Sequence, residues 1–214
     1  MKRLITILMA ICIMVFGTQA VFAASPKVGS VPGVVEISNP EALLAIQQIA
    51  VAPLLYTPNE DEPAWPVINS IMSEASIHID EKCPVTIVTY DEAAARLATI
   101  EGADIALMSR RDATRYFKDH ATYTADAYVE ATVTNGSKKL DMFFNVYNSA
   151  THEIIFTYKE VAPSYSSRQE KTFNNFCKNF YMSINEAVKL APKVIEDRAE
   201  KGSSKYDPEW NFKK

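Results

Sequence analysis

Apolar residues in the first half of the chain alternate between compact runs and helical spacings. Residues 49–55 form a compact apolar run, which is typical of a buried strand, and apolar positions three and four apart over residues 65–79 indicate an amphipathic helix. The order then repeats, with a second strand over residues 83–89 and a short helix that ends at Gly102. Residues 103–108 are interpreted as either a third strand or a buried connector. This alternation of strands and helices is typical of an α/β fold.

The second half of the chain predicts an antiparallel meander. Apolar and polar residues alternate over residues 126–134 and again over residues 140–146, as they do in half-buried strands. Asn135-Gly136 between them is a strong hairpin signal, because both central residues of that turn need positive φ. A further turn leads into a third strand over residues 154–158.

A long helix with a broad apolar stripe closes the predicted domain. Its apolar residues recur at helical spacing over residues 173–191, and Pro192 is expected to bend or interrupt the helix. We expect the stripe to be buried, with Phe176 and Phe180 on one face, because such a stripe on a free monomer is an aggregation hazard. The alternative is that the stripe is exposed and is itself a partner surface. The elements together predict an α/β fold: a mixed sheet with an antiparallel C-terminal three-stranded meander, helices packed on the sheet, and a long C-terminal helix.

The amino-terminal segment has the three-part pattern of a secretory signal peptide. Lys2 and Arg3 give a positive start, residues 4–16 are almost unbroken apolar, and small residues precede a cleavage site after Ala23 or the following alanine. The pattern favours cleavage over a retained membrane anchor, because a span needs about 20 apolar residues. A lipid anchor on Cys12 is rejected, because a bulky isoleucine precedes that cysteine. We therefore expect an exported protein, periplasmic or extracellular, that is not lipid-anchored.

The predicted organisation is a single domain with flanking segments. Residues 1–23 are assigned to the signal peptide, 24–40 to an extended leader, 41–198 to a single α/β domain and 199–214 to a polar flexible tail. No later stretch is apolar enough to predict a transmembrane segment in the mature chain. The chain has 22 Lys and Arg residues against 26 Asp and Glu residues and no basic run, so we expect no nucleic-acid partner.

Motifs for catalysis and cofactor binding are nearly absent from the sequence. There is no phosphate loop, no dinucleotide-binding glycine motif and no nucleophile elbow. His78, His120 and His152 are scattered, and none has a partner at metal-ligand spacing. We therefore expect neither an enzyme nor a bound cofactor or metal.

Two charged segments are tentative binding sites. The first is an acidic loop that follows the first strand of the domain, at the edge where open α/β sheets tend to place ligands; it consists of Asn59, Glu60, Asp61 and Glu62. The second is the pair Arg110-Arg111, whose positive charge opposes the dipole at a helix start. The acidic loop can be read as a solvated loop instead, and the arginines as structural partners of Asp104 or Asp112 rather than as an anion site.

Aromatic residues and cysteines leave two further questions open. Tyr128, Phe143 and Tyr147 occupy the polar-facing register of their strands, where they can form a docking surface or ordinary cross-strand pairs.

Cys83 and Cys177 are the two cysteines of the mature chain, and they can form a disulfide in an oxidising compartment or remain two buried thiols.

The order of the pieces resembles a bacterial envelope superfamily. The segments that carry the resemblance are residues 125–133, which begin Ala-Asp-Ala-Tyr-Val, and residues 144–155, where His152 stands at a turn position usually held by glycine. The superfamily includes the curli-secretion channel protein, the lipoprotein activators of penicillin-binding proteins and the amino-terminal domain of the Tol translocation protein. The likeness covers roughly residues 46–190, without the lipid-anchor cysteine of many relatives. It implies an envelope protein with this fold and no catalytic residues.

These observations predict an exported cell-envelope protein that acts by protein–protein contact, as an assembly or regulatory accessory. Its partner would be another envelope protein or a second copy of itself. The alternative is a periplasmic protein that binds a small ligand or an ion through the acidic loop and the arginine pair.

Overall fold

The computed structural model describes residues 32–56, 63–135, 140–162 and 169–201. The predicted signal peptide, the acidic residues Asn59 to Glu62, Gly136 of the predicted hairpin and the tail after Lys201 lie outside these residues. The elements, in chain order, are β1 (Val34–Ile37), α1 (Pro40–Ala45), β2 (Gln48–Val51), α2 (Trp65–Glu74), β3 (Thr86–Val88), α3 (Tyr90–Glu101), α4 (Arg110–Asp119), β4 (Ala127–Asn135), β5 (Leu140–Asn148), β6 (Ile154–Val161) and α5 (Glu170–Lys201), with short 3-10 turns at Ala75–His78, Ile105–Leu107 and Ala121–Tyr123.

The strands of the described residues form one mixed sheet in the order β1-β6-β5-β4-β2-β3. β2 runs parallel to both β3 and β4, whereas β4, β5 and β6 form the antiparallel meander. This arrangement, with helices on the sheet and a long C-terminal helix, confirms the predicted fold class.

The long helix α5 covers one face of the meander. Phe180 is fully buried, and its ring stacks on that of Phe144 with centroids 4.4 Å apart. It also lies 6.4 Å from the rings of Phe156 and Tyr158. The apolar stripe of α5 is therefore buried, as expected. The helix continues through Pro192, because Ala191 and Val194 on either side of it are held in the core.

Helices lie on both faces of the parallel part of the sheet. α2 packs against α5, on the face that holds Phe144. α3 lies on the opposite face, because Arg96 of α3 donates a 3.1 Å hydrogen bond to Gln48, whose side chain shares a face with that of Tyr128. α4 lies on that face too, where Phe117 meets Tyr128 edge to face. None of the helices in the described ranges combines the length and the apolar character that a membrane span requires.

Residues 34–37, which the sequence analysis assigns to the leader, form the edge strand β1. They pair antiparallel with β6, and Val35 and Ile37 are buried beneath α5. Gly33 makes this approach possible: it has φ of +113°, and a Cβ there would lie 2.7 Å from the carbonyl oxygen of Lys159. The leader therefore contributes a strand to the sheet.

Residues 103–108 are neither a strand nor a buried connector. The carboxylate of Asp104 accepts a hydrogen bond from the amide of Ala106 and starts a 3-10 turn there. Only Ile105 of this turn is buried, while Leu107 is 85% exposed.

Candidate functional site

The meander and β1 present a second face that points away from α5. Side chains along a strand point alternately to the two faces of the sheet. Met142, Phe144 and Val146 of β5 are buried on the α5 side, so their neighbours in sequence point to the opposite face. We call these neighbours the outer face; they are Phe143, Asn145 and Tyr147 of β5, Thr157 and Lys159 of β6, and Val34 and Glu36 of β1. All seven are half-buried. This face is a mixed aromatic, polar and charged surface.

The outer face ends where α4 covers β4. Tyr128 is only 2% exposed and lies beneath Phe117 of that helix. Lys118 reaches the buried carboxylate of Glu130 at 2.7 Å and lies 6.0 Å from the ring of Tyr147. Tyr128 is therefore a core residue, and α4 with its ion pair forms one border of the outer face.

The three predicted aromatic residues share one face but have different surroundings. Tyr128 stacks on Tyr147 with ring centroids 5.2 Å apart, as a cross-strand pair. Burial raises the pKa of both phenols, with the nearby Glu130 carboxylate as a second cause. Phe143 lies four residues from Tyr147 along β5 and is half-buried. Phe143 and Tyr147 are thus partly accessible for contact, whereas Tyr128 is buried beside Tyr147 on the neighbouring strand.

Lys159 organises the centre of the outer face. Its ammonium lies 4.6 Å above the ring of Phe143 and 3.7 Å from the carboxylate of Asp141. Beside it, the hydroxyl of Thr157 donates a 3.0 Å hydrogen bond to the side chain of Asn145. Lys159 was not among the residues predicted from sequence, although the alternation of apolar and polar residues along β6 was a signal that could have found it.

The β5–β6 turn holds His152 in a left-handed conformation with φ of +58°. A left-handed backbone favours glycine, because glycine adopts positive φ without a clash of its side chain. The Nδ1 atom of His152 lies 3.3 Å from the hydroxyl of Tyr128. Asn148 closes the turn, because its side-chain oxygen accepts hydrogen bonds from the amides of Ala150 and Thr151.

Arg110 contacts the backbone of a distant segment. Its guanidinium donates a hydrogen bond to the backbone carbonyl of Tyr56, just after β2, rather than to the carboxylates of Asp104 or Asp112. Asp112 instead accepts a 2.6 Å hydrogen bond from Ser109, the residue that caps α4. Arg111 is exposed on the first turn of the same helix.

Cys83 and Cys177 are both free thiols rather than a disulfide, but of the two only Cys177 is buried. Cys177 is completely buried in α5, and burial raises the pKa of its thiol. Cys83 is half-buried between the 3-10 turn Ala75–His78 and β3, and burial raises the pKa of its thiol as well.

No known protein family matches the chain, and no curated protein matches it in sequence. Solved structures to which it is similar include a PelC dodecamer from Paraburkholderia phytofirmans, with 13% identity, a TM-score of 0.40, and coverage of 72% of this chain and 99% of that one. Lipoprotein GNA1162 from Neisseria meningitidis has 13% identity, a TM-score of 0.38, and coverage of 72% and 98%. TolB from Acinetobacter baumannii has 12% identity, a TM-score of 0.33, and coverage of 75% and 31%. Similarities at this level carry no functional inference.

Proposed function

We propose that this chain is an exported, non-catalytic cell-envelope protein that works by binding another protein through its outer face. The observation that carries the proposal is the outer face itself. Phe143 and Tyr147 lie half-buried on a sheet whose opposite face is covered by α5. The amino-terminal signal pattern supports export.

The chemistry of the outer face suits a protein partner. Aromatic rings supply contact area at little cost in conformational entropy, and they are enriched at the centres of protein interfaces. Lys159, Asp141 and Glu36 surround them with charges of both signs, which can select a partner by complementarity. Because every side chain on this face sits on a strand, the surface is rigid before binding, which lowers the cost of ordering it.

The proposal predicts a loss of association when a charge is placed on the outer face. The chain carrying Phe143→Glu, expressed in its own cells, should migrate as a monomer in native gels of gently solubilised envelopes. The wild-type chain should migrate in a larger complex, and a complex of two or more copies would identify self-association. Ile77→Glu is the matched control, because Ile77 is 81% exposed on a 3-10 turn outside the outer face.

Either of two results would contradict the proposal. The first is wild-type chain that migrates as a monomer, and the second is a Phe143→Glu variant that keeps the complex. Export has its own readout, since mass spectrometry of the purified protein should find an amino terminus at Ala24 or Ser25. An intact Met1 on the accumulated protein would refute cleavage.

A further inference from the structure

The parallel half of the sheet has a point at which the chain changes faces. β2 and β3 are neighbours, and both end at the same edge because they run parallel. After β2 the chain continues into α2 on the α5 side, whereas after β3 it enters α3 on the opposite side. In open α/β sheets, the crevice between two such strand ends is the usual place for a ligand.

A groove of about 560 Å³ lies at this point, between α2 and the start of α3. Such a volume is within the range of sites for small organic molecules, about 300–1,000 Å³. Its polar lining includes Asn69, Ser73 and Glu74 of α2 and Tyr90 and Asp91 of α3.

Asn69 is the most unusual residue of the groove. It is 3% exposed, and among the described residues neither its side-chain oxygen nor its side-chain nitrogen has a hydrogen-bond partner. A buried amide without partners is destabilising, so native proteins rarely keep one without a use. Asn185 shows the ordinary situation: it is also buried, and its side chain bonds both the amide of Asp80 and the carbonyl of His78 at 3.0 Å.

The charge of the groove favours a cation. Glu74 and Asp91 are exposed at its mouth, and Ser70 donates a 3.5 Å hydrogen bond to the Glu74 carboxylate. No lysine, arginine or histidine belongs to the groove lining in the described part of the chain. The same residues contain no group of three or more His, Cys, Asp or Glu side chains placed to hold a metal ion. An organic ammonium fits this lining better than a metal ion does.

We infer that this groove binds a small organic molecule that carries a primary ammonium group. The ammonium group lies between the carboxylates of Glu74 and Asp91, and a polar group further along the ligand exchanges hydrogen bonds with the buried amide of Asn69. The site is independent of the outer face, so either can exist without the other.

The test is isothermal titration of the purified exported chain with 1,4-diaminobutane at low salt. Succinate and 1,4-butanediol are the matched probes, because they have the same four-carbon length with negative charge or none. We expect the diamine to bind and the other two not to bind. Glu74→Gln should weaken diamine binding at least about tenfold, equivalent to 1.4 kcal/mol, and Asn69→Leu should do the same.

Glu74 is exposed, so its variant tests the groove without a change in the core. Glu196→Gln is the control, because it removes an exposed carboxylate of α5 that is not part of the groove and should leave binding unchanged. The inference is overturned if the diamine does not bind, if succinate or the diol binds equally well, or if Glu74→Gln binds the diamine as tightly as the wild-type chain.

Discussion

Replacement of Phe180 by alanine tests how the fold is held together. The ring is fully buried in α5, stacked on Phe144 at 4.4 Å and near Phe156 and Tyr158 on the next strand. Its removal leaves a cavity that three rigid aromatic neighbours on a sheet cannot fill. Such a change costs about 3–5 kcal/mol, against a total stability of about 5–15 kcal/mol for a domain.

Urea denaturation of the purified exported chain measures this loss. The free energy of unfolding falls by about 2 kcal/mol for each molar increase in urea. A loss of about 4 kcal/mol in that free energy therefore lowers the urea midpoint by about 2 M, while the slope stays the same. Leu107→Ala is the control, because Leu107 is 85% exposed and its truncation should change the free energy of unfolding by less than about 0.5 kcal/mol. A Phe180→Ala midpoint equal to that of the wild-type chain would show that α5 does not seal the core.

Three further predictions concern single polar residues. Asn185→Leu should lower the free energy of unfolding by about 1–3 kcal/mol, because two backbone groups lose their hydrogen-bond partner. Asn69→Leu should leave the free energy of unfolding unchanged or raise it, because its amide has no partner to lose among the described residues. Equal losses of unfolding free energy for the two variants in urea denaturation would refute the contrast. His152→Gly should be about 1 kcal/mol more stable than His152→Ala, because only glycine relieves the positive φ, and equal thermal midpoints would argue against strain there. Burial raises the pKa of Glu160 in the folded chain, so its contribution to stability is fully present below the unfolded pKa of about 4.3. That contribution is lost as the pH rises through the pKa of the folded state. Glu160→Gln should therefore flatten the fall in stability as the pH rises above about 4.3, and an unchanged slope would refute this.

The meander and α5 could be predicted from sequence because their signals are local. Alternation in β4 and β5 reports one buried face residue by residue, and the spacing of Phe173, Phe176 and Phe180 reports a helix in the same way. Neighbouring strands that are joined by short turns also pair with each other, so the antiparallel order followed from the chain order.

The missed features depend on contacts between distant parts of the chain. β1 has only four residues, and its partner β6 lies more than 100 residues later, so nothing near Val34 distinguishes a strand from a leader. The partner of Arg110 is the backbone carbonyl of Tyr56, and a backbone atom leaves no mark on the sequence.

The groove was missed for a similar reason. Asn69 lies between the apolar residues Ile68 and Ile71, where a polar residue on a helix is usually read as solvent-facing. Its burial arises only when α2 and the start of α3 meet at the end of β3. The sequence analysis placed its ligand hypothesis on acidic residues and arginines instead, because charge is visible in a sequence and burial is not.

Site-specific photocrosslinking in living cells tests the central claim most directly. A benzophenone-bearing phenylalanine analogue replaces Phe143 on the outer face, or Ile77 on the 3-10 turn after α2 as the exposed control. We predict one discrete covalent adduct from position 143 and none from position 77, at equal expression and with both chains exported. An adduct from position 77 alone, or no adduct from position 143, would contradict the claim that this protein works through its outer face.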